Sequence, residues 1–220
     1  MYKYVLFDLD GTLTDPGEGI TNSVMYALRQ FGIVETEREK LFSFIGPPLQ
    51  DSFMEKYGFS EEDAREATRR FRVYFREKGI FENVPYEGMT DCLRILRERG
   101  HVLIVATSKP DEFAKKILER FGFLPYFHYV FGASMDETRT RKDEVIAYAL
   151  KEAGVEDASD CIMVGDRKHD ILGARANGMD SVGVLFGYGS LEELEEAGAT
   201  YIARSPEELP GIIDRDGSFT

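Results

Sequence analysis

Cysteine is scarce in this chain, with two in 220 residues. Cys92 and Cys161 lie far apart, in apolar surroundings and without CxxC spacing. A disulfide framework is therefore excluded, and both read as buried thiols of a reducing compartment. Histidine is equally sparse, at three residues, and no His/Cys cluster favours zinc. Positive charge is in short supply: 27 Lys and Arg stand against 40 Asp and Glu, a net charge of −13. That balance excludes a nucleic-acid polymer or an anionic membrane surface as partner, although local cations can still hold a small phosphorylated ligand. No apolar run approaches the length of a membrane span, and the N-terminus lacks a signal-peptide pattern. Internal repeats and low-complexity tracts are absent. The expectation is a cytoplasmic protein, monomer or homodimer, with neither nucleic acid nor membrane among its partners.

What is present is ordinary globular composition, 43% hydrophobic and 30% charged, with length for one sizeable core and a smaller appendage. The chain opens on Val5-Leu6-Phe7-Asp8-Leu9-Asp10-Gly11-Thr12, an apolar strand running into carboxylates and a glycine turn. From Asp15 to about Phe81 the pattern is helical. Asp15-Pro16 starts a helix that Gly32 ends, and Glu35 to Phe44 reads as a second, charged helix. Leu49 to Tyr57 makes a third, and Ser60 caps a fourth whose apolar stripe is Ala64, Ala67, Phe71, Tyr74 and Phe75. From Pro85 onward strands alternate with helices: strands at His101 to Ala106, Tyr129 to Phe131, Cys161 to Val164 and Ser181 to Leu185, each set between helices closed by glycine. This alternation predicts a parallel α/β sheet with helices on both faces, Rossmann-like, and an inserted all-α segment. The domain reading is a core of residues 1–14 and 86–220, and a helical insertion of residues 15–85.

Four features fall at the carboxyl ends of predicted strands, where open parallel sheets bind ligands. The first is Asp8-Leu9-Asp10-Gly11-Thr12. Residues two apart on a strand point the same way, so both carboxylates face one site unless the turn rotates the second. Two such charges imply a metal ion, a proton shuttle, or both. The second is Thr107-Ser108-Lys109-Pro110, a hydroxyl and free amides at a helix head, suited to an anion. The third is Lys142, a cation at a helix N-terminus behind Arg139-Thr140-Arg141, where it opposes the dipole and needs an anionic partner. The fourth is Gly165-Asp166-Arg167-Lys168-His169-Asp170, with Asp170 one helical turn beyond Asp166. Together they supply oxygen ligands for Mg²⁺, a nucleophilic carboxylate, a second carboxyl for acid–base work and clamps for phosphate oxygens.

In motif order and strand context the whole chain resembles the haloacid dehalogenase-like (HAD) phosphatases, with a helical cap inserted after the first motif. The resemblance implies that Asp8 is nucleophile and metal ligand. Asp10 protonates the leaving oxygen and then deprotonates water, while its main-chain carbonyl binds the metal. Thr107, Ser108 and the amides of Leu9 and Gly11 hold the phosphoryl group. Lys142 neutralises nucleophile and phosphate. Asp166 binds Mg²⁺, and Asp170 supports either the waters of that ion or Lys142. Many relatives carry the lysine in a Lys-Pro context; here it lies in Thr-Arg-Lys-Asp, which makes Arg141 a rival cation.

Within the family, Gly46-Pro47-Pro48-Leu49, Thr138 to Lys142 and Gly165 to Asp170 look most like a bacterial branch described as 5′-nucleotidase-like, whose neighbours are phosphoglycolate phosphatases. The expected substrate is a nucleoside 5′-monophosphate, with phosphoglycolate as the alternative and a sugar phosphomutase of the same fold as a further one. Gly46-Pro47-Pro48-Leu49 is the candidate substrate loop or, equally, a plain helix breaker. Phe42, Phe44, Phe53, Phe71, Tyr74 and Phe75 read as cap core.

Overall fold

The computed structural model describes residues 1–134 and 138–214. Two compact units result, Met1–Thr14 with Pro85–Thr220, and Asp15–Val84. The chain begins with β1 (Tyr4–Phe7), leaves the first unit along β2 (Thr14–Asp15) and returns along β3 (Val84–Pro85).

Between those short strands the second unit is helical: α1 (Gly17–Arg29), α2 (Leu49–Tyr57) and α3 (Glu61–Glu77). Helix α1 starts one residue past Pro16, with Asp15 Oδ1 accepting from the Gly17 amide at 2.9 Å. Ser60 caps α3 as its sequence suggests, its side chain accepting from the Asp63 amide at 3.1 Å. Ala64, Ala67, Phe71 and Phe75 form the buried stripe of α3. The expected helix over Glu35 to Phe44 does not form; only a 3₁₀ segment, Arg38–Phe44, is present. The cause is local. Glu35 Oε1 accepts from the Thr36 and Glu37 amides, and that competition holds the backbone out of a helix until Arg38.

The first unit continues with α4 (Met89–Glu98), β4 (Val102–Pro110), α5 (Asp111–Arg120), β5 (Tyr129–Ala133), α6 (Lys142–Glu152), β6 (Cys161–Gly165), α7 (Lys168–Ala176), β7 (Asp180–Val184), α8 (Leu191–Ala197), β8 (Tyr201–Ala203) and α9 (Leu209–Ile213). Six strands form one parallel sheet in the order β5-β4-β1-β6-β7-β8. This is the Rossmann-like α/β core expected. Val5, Leu6 and Phe7 are fully buried, as a central strand covered on both faces requires. On one face Leu6, Ile104, Ala106, Cys161 and Met163 pack against Val145, Ile146 and Ala149 of α6 and Ala174 of α7. Winding reverses between β1 and β6, so a crevice opens at the carboxyl ends of those two strands. Among the described residues no helix is long and apolar enough to cross a membrane.

Two boundaries differ from expectation where it matters. Strand β4 runs past Ala106 to Pro110, with a register shift against β5 between those residues. Proline disfavours helical backbone in the residue before it, which keeps Lys109 extended, and α5 begins at Asp111 as its sequence predicts. Thr107 and Ser108 therefore end a strand instead of heading a helix. Helix α7 begins at Lys168, which places Asp170 at its third position.

Candidate active site

Asp8 is the first residue past β1, its amide bonded to Val164 O of β6 at 2.9 Å. Its buried Oδ1 accepts from the Leu9 amide at 2.7 Å and from Lys142 Nζ at 2.8 Å. The strand stops there. The Leu13 amide returns to Leu9 O at 2.9 Å and the Gly11 amide to Thr14 O at 2.8 Å, a turn that needs φ +83° at Gly11. That turn rotates Asp10 away from Asp8. Asp10 Oδ2 meets Lys109 Nζ at 2.7 Å, while its Oδ1 is buried with no hydrogen-bond partner. Each carboxylate thus has its own lysine. Burial pushes the Asp10 carboxyl up, Lys109 opposes this, and the charge of Asp8 adds to the rise.

Lys142, the first residue of α6, places its buried Nζ 2.8 Å from Asp8 Oδ1, 2.8 Å from Asp170 Oδ1 and 3.2 Å from Ala106 O. Burial works against its charge, but Asp170 and Asp8 outweigh burial and hold the ammonium protonated well above the ordinary range. Arg141 is exposed and pairs with Asp143 at 3.1 Å, so it is Lys142 that reaches the carboxylates. Asp170 Oδ2 also accepts from the Arg167 amide at 3.1 Å, which closes the head of α7. One residue thus caps a helix and pairs with a lysine. Burial pushes its carboxyl up to about 6 against the pull of Lys142, with Asp8 adding to the rise.

Asp166, fully buried, accepts from the Tyr188 amide at 2.8 Å and from Thr12 Oγ1 at 3.5 Å. Burial, then Asp170, then Asp8 push its carboxyl well above the usual range. Backbone packs tightly around it. A Cβ on Gly11 would lie 2.2 Å from Asp166 Oδ2, one on Gly187 2.4 Å from Asp166 Cβ, and one on Gly189 1.9 Å from Asp166 O.

Oxygens of Asp8, Asp166 and Asp170 lie within 4.8 Å of one another. Lys142 pairs with two of these three buried carboxylates and leaves Asp166 to the Tyr188 amide and Thr12 hydroxyl, so a cation would relieve the mutual repulsion of the cluster. All the candidate ligands are carboxylate oxygens, which suits a hard divalent ion. The residues present therefore fit the metal that the sequence implies.

Thr107 is buried beside this cluster's lysine contact at Ala106, and its Oγ1 accepts from the Lys109 amide at 3.2 Å. Its hydroxyl proton is thereby left for an outside acceptor. Ser108 is half-buried at the same strand end. Leu9 and Gly11, expected to turn their amides toward an anion, donate inside the protein instead, to Asp8 and to Thr14. Sequence reasoning missed three contributors: Lys109, Thr12 and the Gly187-Tyr188-Gly189 loop. Lys109 stood inside a motif already singled out. The loop carried a usable signal as well, a Gly-x-Gly directly following a buried strand.

Residues 5–184 match the profile of haloacid dehalogenase-like hydrolases. A protein of Pseudomonas aeruginosa named 5′-nucleotidase is 48% identical over 213 residues, covering 97% of this chain and 96% of that one. One of Mycobacterium tuberculosis named tyrosine-protein kinase is 36% identical over 203 residues, covering 92% of this chain and 69% of that one. The crystal structure of a protein described as a predicted phosphatase from Clostridium acetobutylicum superposes with a TM-score of 0.95 at 48% identity, covering 97% of this chain and 98% of that one.

Proposed function

Since this chain belongs to the haloacid dehalogenase-like hydrolase family and is a phosphatase, we propose that it hydrolyses small phosphomonoesters, foremost nucleoside 5′-monophosphates, through a phosphorylated Asp8. The observation that carries this reading is the division of labour between Asp8 and Asp10. Two buried carboxylates two residues apart are each held by a different lysine. One is kept ready to attack and the other ready to take a proton.

Asp8 Oδ1 is occupied by the Leu9 amide and Lys142, so Oδ2 is the oxygen that bonds to phosphorus. As that bond forms, the ester P–O bond breaks and the leaving oxygen takes the proton of Asp10. The raised carboxyl of Asp10 suits that donation. Asp10, now ionised, removes a proton from water, which attacks phosphorus and returns Asp8 as a carboxylate. Thr107 donates its hydroxyl proton to a phosphoryl oxygen, and Lys142 balances charge on Asp8 throughout. Asp8 and Asp166 would hold Mg²⁺ together with the main chain of Asp10, while Asp170 fixes Lys142. When bound, the ion supplies positive charge against the phosphoryl oxygens.

The nucleotide assignment is supported by the relative named 5′-nucleotidase at 48% identity. The net charge of −13 fits a small metabolite as partner in the cytoplasm better than a polyanion. The test is a panel of phosphorylated metabolites assayed with Mg²⁺, with and without chelator, recording both released phosphate and phosphoprotein. Nucleoside monophosphates should give the highest kcat/KM, chelation should abolish turnover, and released phosphate should account for the phosphate lost from substrate. Asp8→Asn should lower kcat by about three decades or more while the fold persists. A folded Asp8→Asn protein turning over at the wild-type rate would end this mechanism, and stoichiometric transfer to protein tyrosine would replace water as acceptor.

A further inference from the structure

The lysine of Thr107-Ser108-Lys109-Pro110 has no part in holding phosphate or metal in the reading above, yet it is as deeply placed as the residues that do. Lys109 is 9% exposed, and its Nζ lies 2.7 Å from Asp10 Oδ2. A buried ammonium at a strand end costs desolvation, which a carboxylate partner offsets only in close geometry. Its backbone is held on two sides. The Lys109 amide donates to Thr107 Oγ1 at 3.2 Å, and Gly132 of β5 packs so closely on Lys109 O that a Cβ there would lie 2.3 Å away. The register shift in β4 lies between Ala106 and Pro110, the stretch that carries this residue. Irregular backbone at a sheet edge commonly re-aims one side chain, and the side chain aimed here is the one that grips Asp10.

We propose that Lys109 is a positioning residue for the acid. By pinning Oδ2 of Asp10 it fixes the rotamer of that carboxyl and so the position of the proton donor. The inference rests on Asp10 acting as the acid. The Thr107 hydroxyl that meets phosphate and the lysine that sets the acid belong to one three-residue stretch of β4 joined by a hydrogen bond, so phosphate seat and proton donor are built as a single piece. Lys142 performs a different task on Asp8 and cannot substitute, since its Nζ is shared by Asp8, Asp170 and Ala106 O.

The test exploits leaving-group chemistry. An alkyl phosphate such as a nucleoside 5′-monophosphate needs its leaving oxygen protonated, whereas p-nitrophenyl phosphate hardly does. Single-turnover ester cleavage by Mg²⁺-loaded full-length protein isolates that step. Lys109→Met should slow cleavage of the alkyl ester about a hundredfold more than that of the aryl ester, the range a general acid contributes. Asp10→Asn should show the same selective loss, and adding Lys109→Met to it should cost little more, because both act through one carboxyl. Equal losses on both esters would mark Lys109 as merely structural and overturn the inference. So would a further hundredfold loss in the double variant, or a Lys109→Met protein with unaltered selectivity. If instead Asp10→Asn itself spares the alkyl ester, the acid assignment fails and takes this inference with it; that result is distinct because it appears without any change at Lys109.

Discussion

At the scale of single residues the cluster is a problem of charge. Asp8, Asp166 and Asp170 converge, Lys142 pairs with Asp8 and Asp170, and burial raises the carboxyl of Asp170 despite that lysine and that of Asp166 despite the Tyr188 amide and Arg167. A carboxyl whose folded value lies above its unfolded value binds more protons in the folded state. Stability then falls as pH rises from the unfolded value through the folded one. For Asp170 that window runs from 3.8 to about 6, and Asp166 acts in the same direction. In chelator, these two groups should therefore cost thermal stability as pH rises from about 4 to about 6. Asp170→Asn, which cannot ionise, should show a shallower fall. Mg²⁺ should raise the melting temperature, and by more at pH 8 than at pH 5, since protons compete with the ion for the same oxygens. Melting curves across this range check the sign directly. A chelated protein that grows steadily more stable over the window would contradict it.

At the scale of elements, the site is assembled where strands end, and backbone decides how close the pieces come. The loop after β7 shows this. The Tyr188 amide donates to Asp166 Oδ2 at 2.8 Å, and Gly187 sits where a Cβ would lie 2.3 Å from Gly11 O and 2.4 Å from Asp166 Cβ. The Gly11 backbone lines one side of that gap and the Asp166 side chain the other, so an added methyl must move Asp166 or the Gly11 turn. Gly187→Ala should weaken Mg²⁺ affinity about tenfold or more, a loss of the size seen when groups supporting metal ligands are removed. A Mg²⁺ titration of melting temperature measures it without any assay of turnover, and unchanged affinity would show that the loop has room to give. This loop also shows where sequence reading stops. Asp8, Asp166, Lys142 and Asp170 were legible because strand, turn and helix patterns are periodic and place them at one sheet edge. Lys109 and Gly187 act through aim and proximity, which depend on a register slip in β4 and on the packing of one loop against another, and no periodicity encodes those. The same limit misread Thr107 as a helix head: Pro110 holds β4 extended for four residues beyond the apolar run. It also turned Glu35 to Phe44 into a helix on charge spacing, although Glu35 competes for the amides that such a helix would use.

At the scale of the molecule, every residue of the phosphate-handling cluster belongs to the unit of Met1–Thr14 and Pro85–Thr220. In the proposed mechanism Asp8, Thr107 and Lys142 address phosphoryl oxygens and charge that all phosphomonoesters share, so they give little basis for preferring a nucleotide to phosphoglycolate. Assigning substrate preference to the helical unit, Asp15–Val84, is the complementary step, and its most distinctive backbone is Gly46-Pro47-Pro48. Gly46 adopts φ +105°, a conformation that side chains disfavour, and Pro48 stands rigid at φ −57° and ψ 132° immediately before α2. A loop stiffened by two successive prolines presents one shape at low entropic cost, as a selective contact requires. Pro47→Ala and Pro48→Ala should therefore shift the ratio of kcat/KM for nucleoside monophosphates over 2-phosphoglycolate by about tenfold, the scale of a single discriminating contact. Turnover of p-nitrophenyl phosphate, which reports the shared phosphoryl chemistry, should change far less. The ratio is the decisive quantity, because loosening the helical unit in general would depress all three substrates together. A ratio that survives both substitutions while the proteins stay folded would place selection in the loops of the sheet unit and leave the two prolines as simple breakers of the helix.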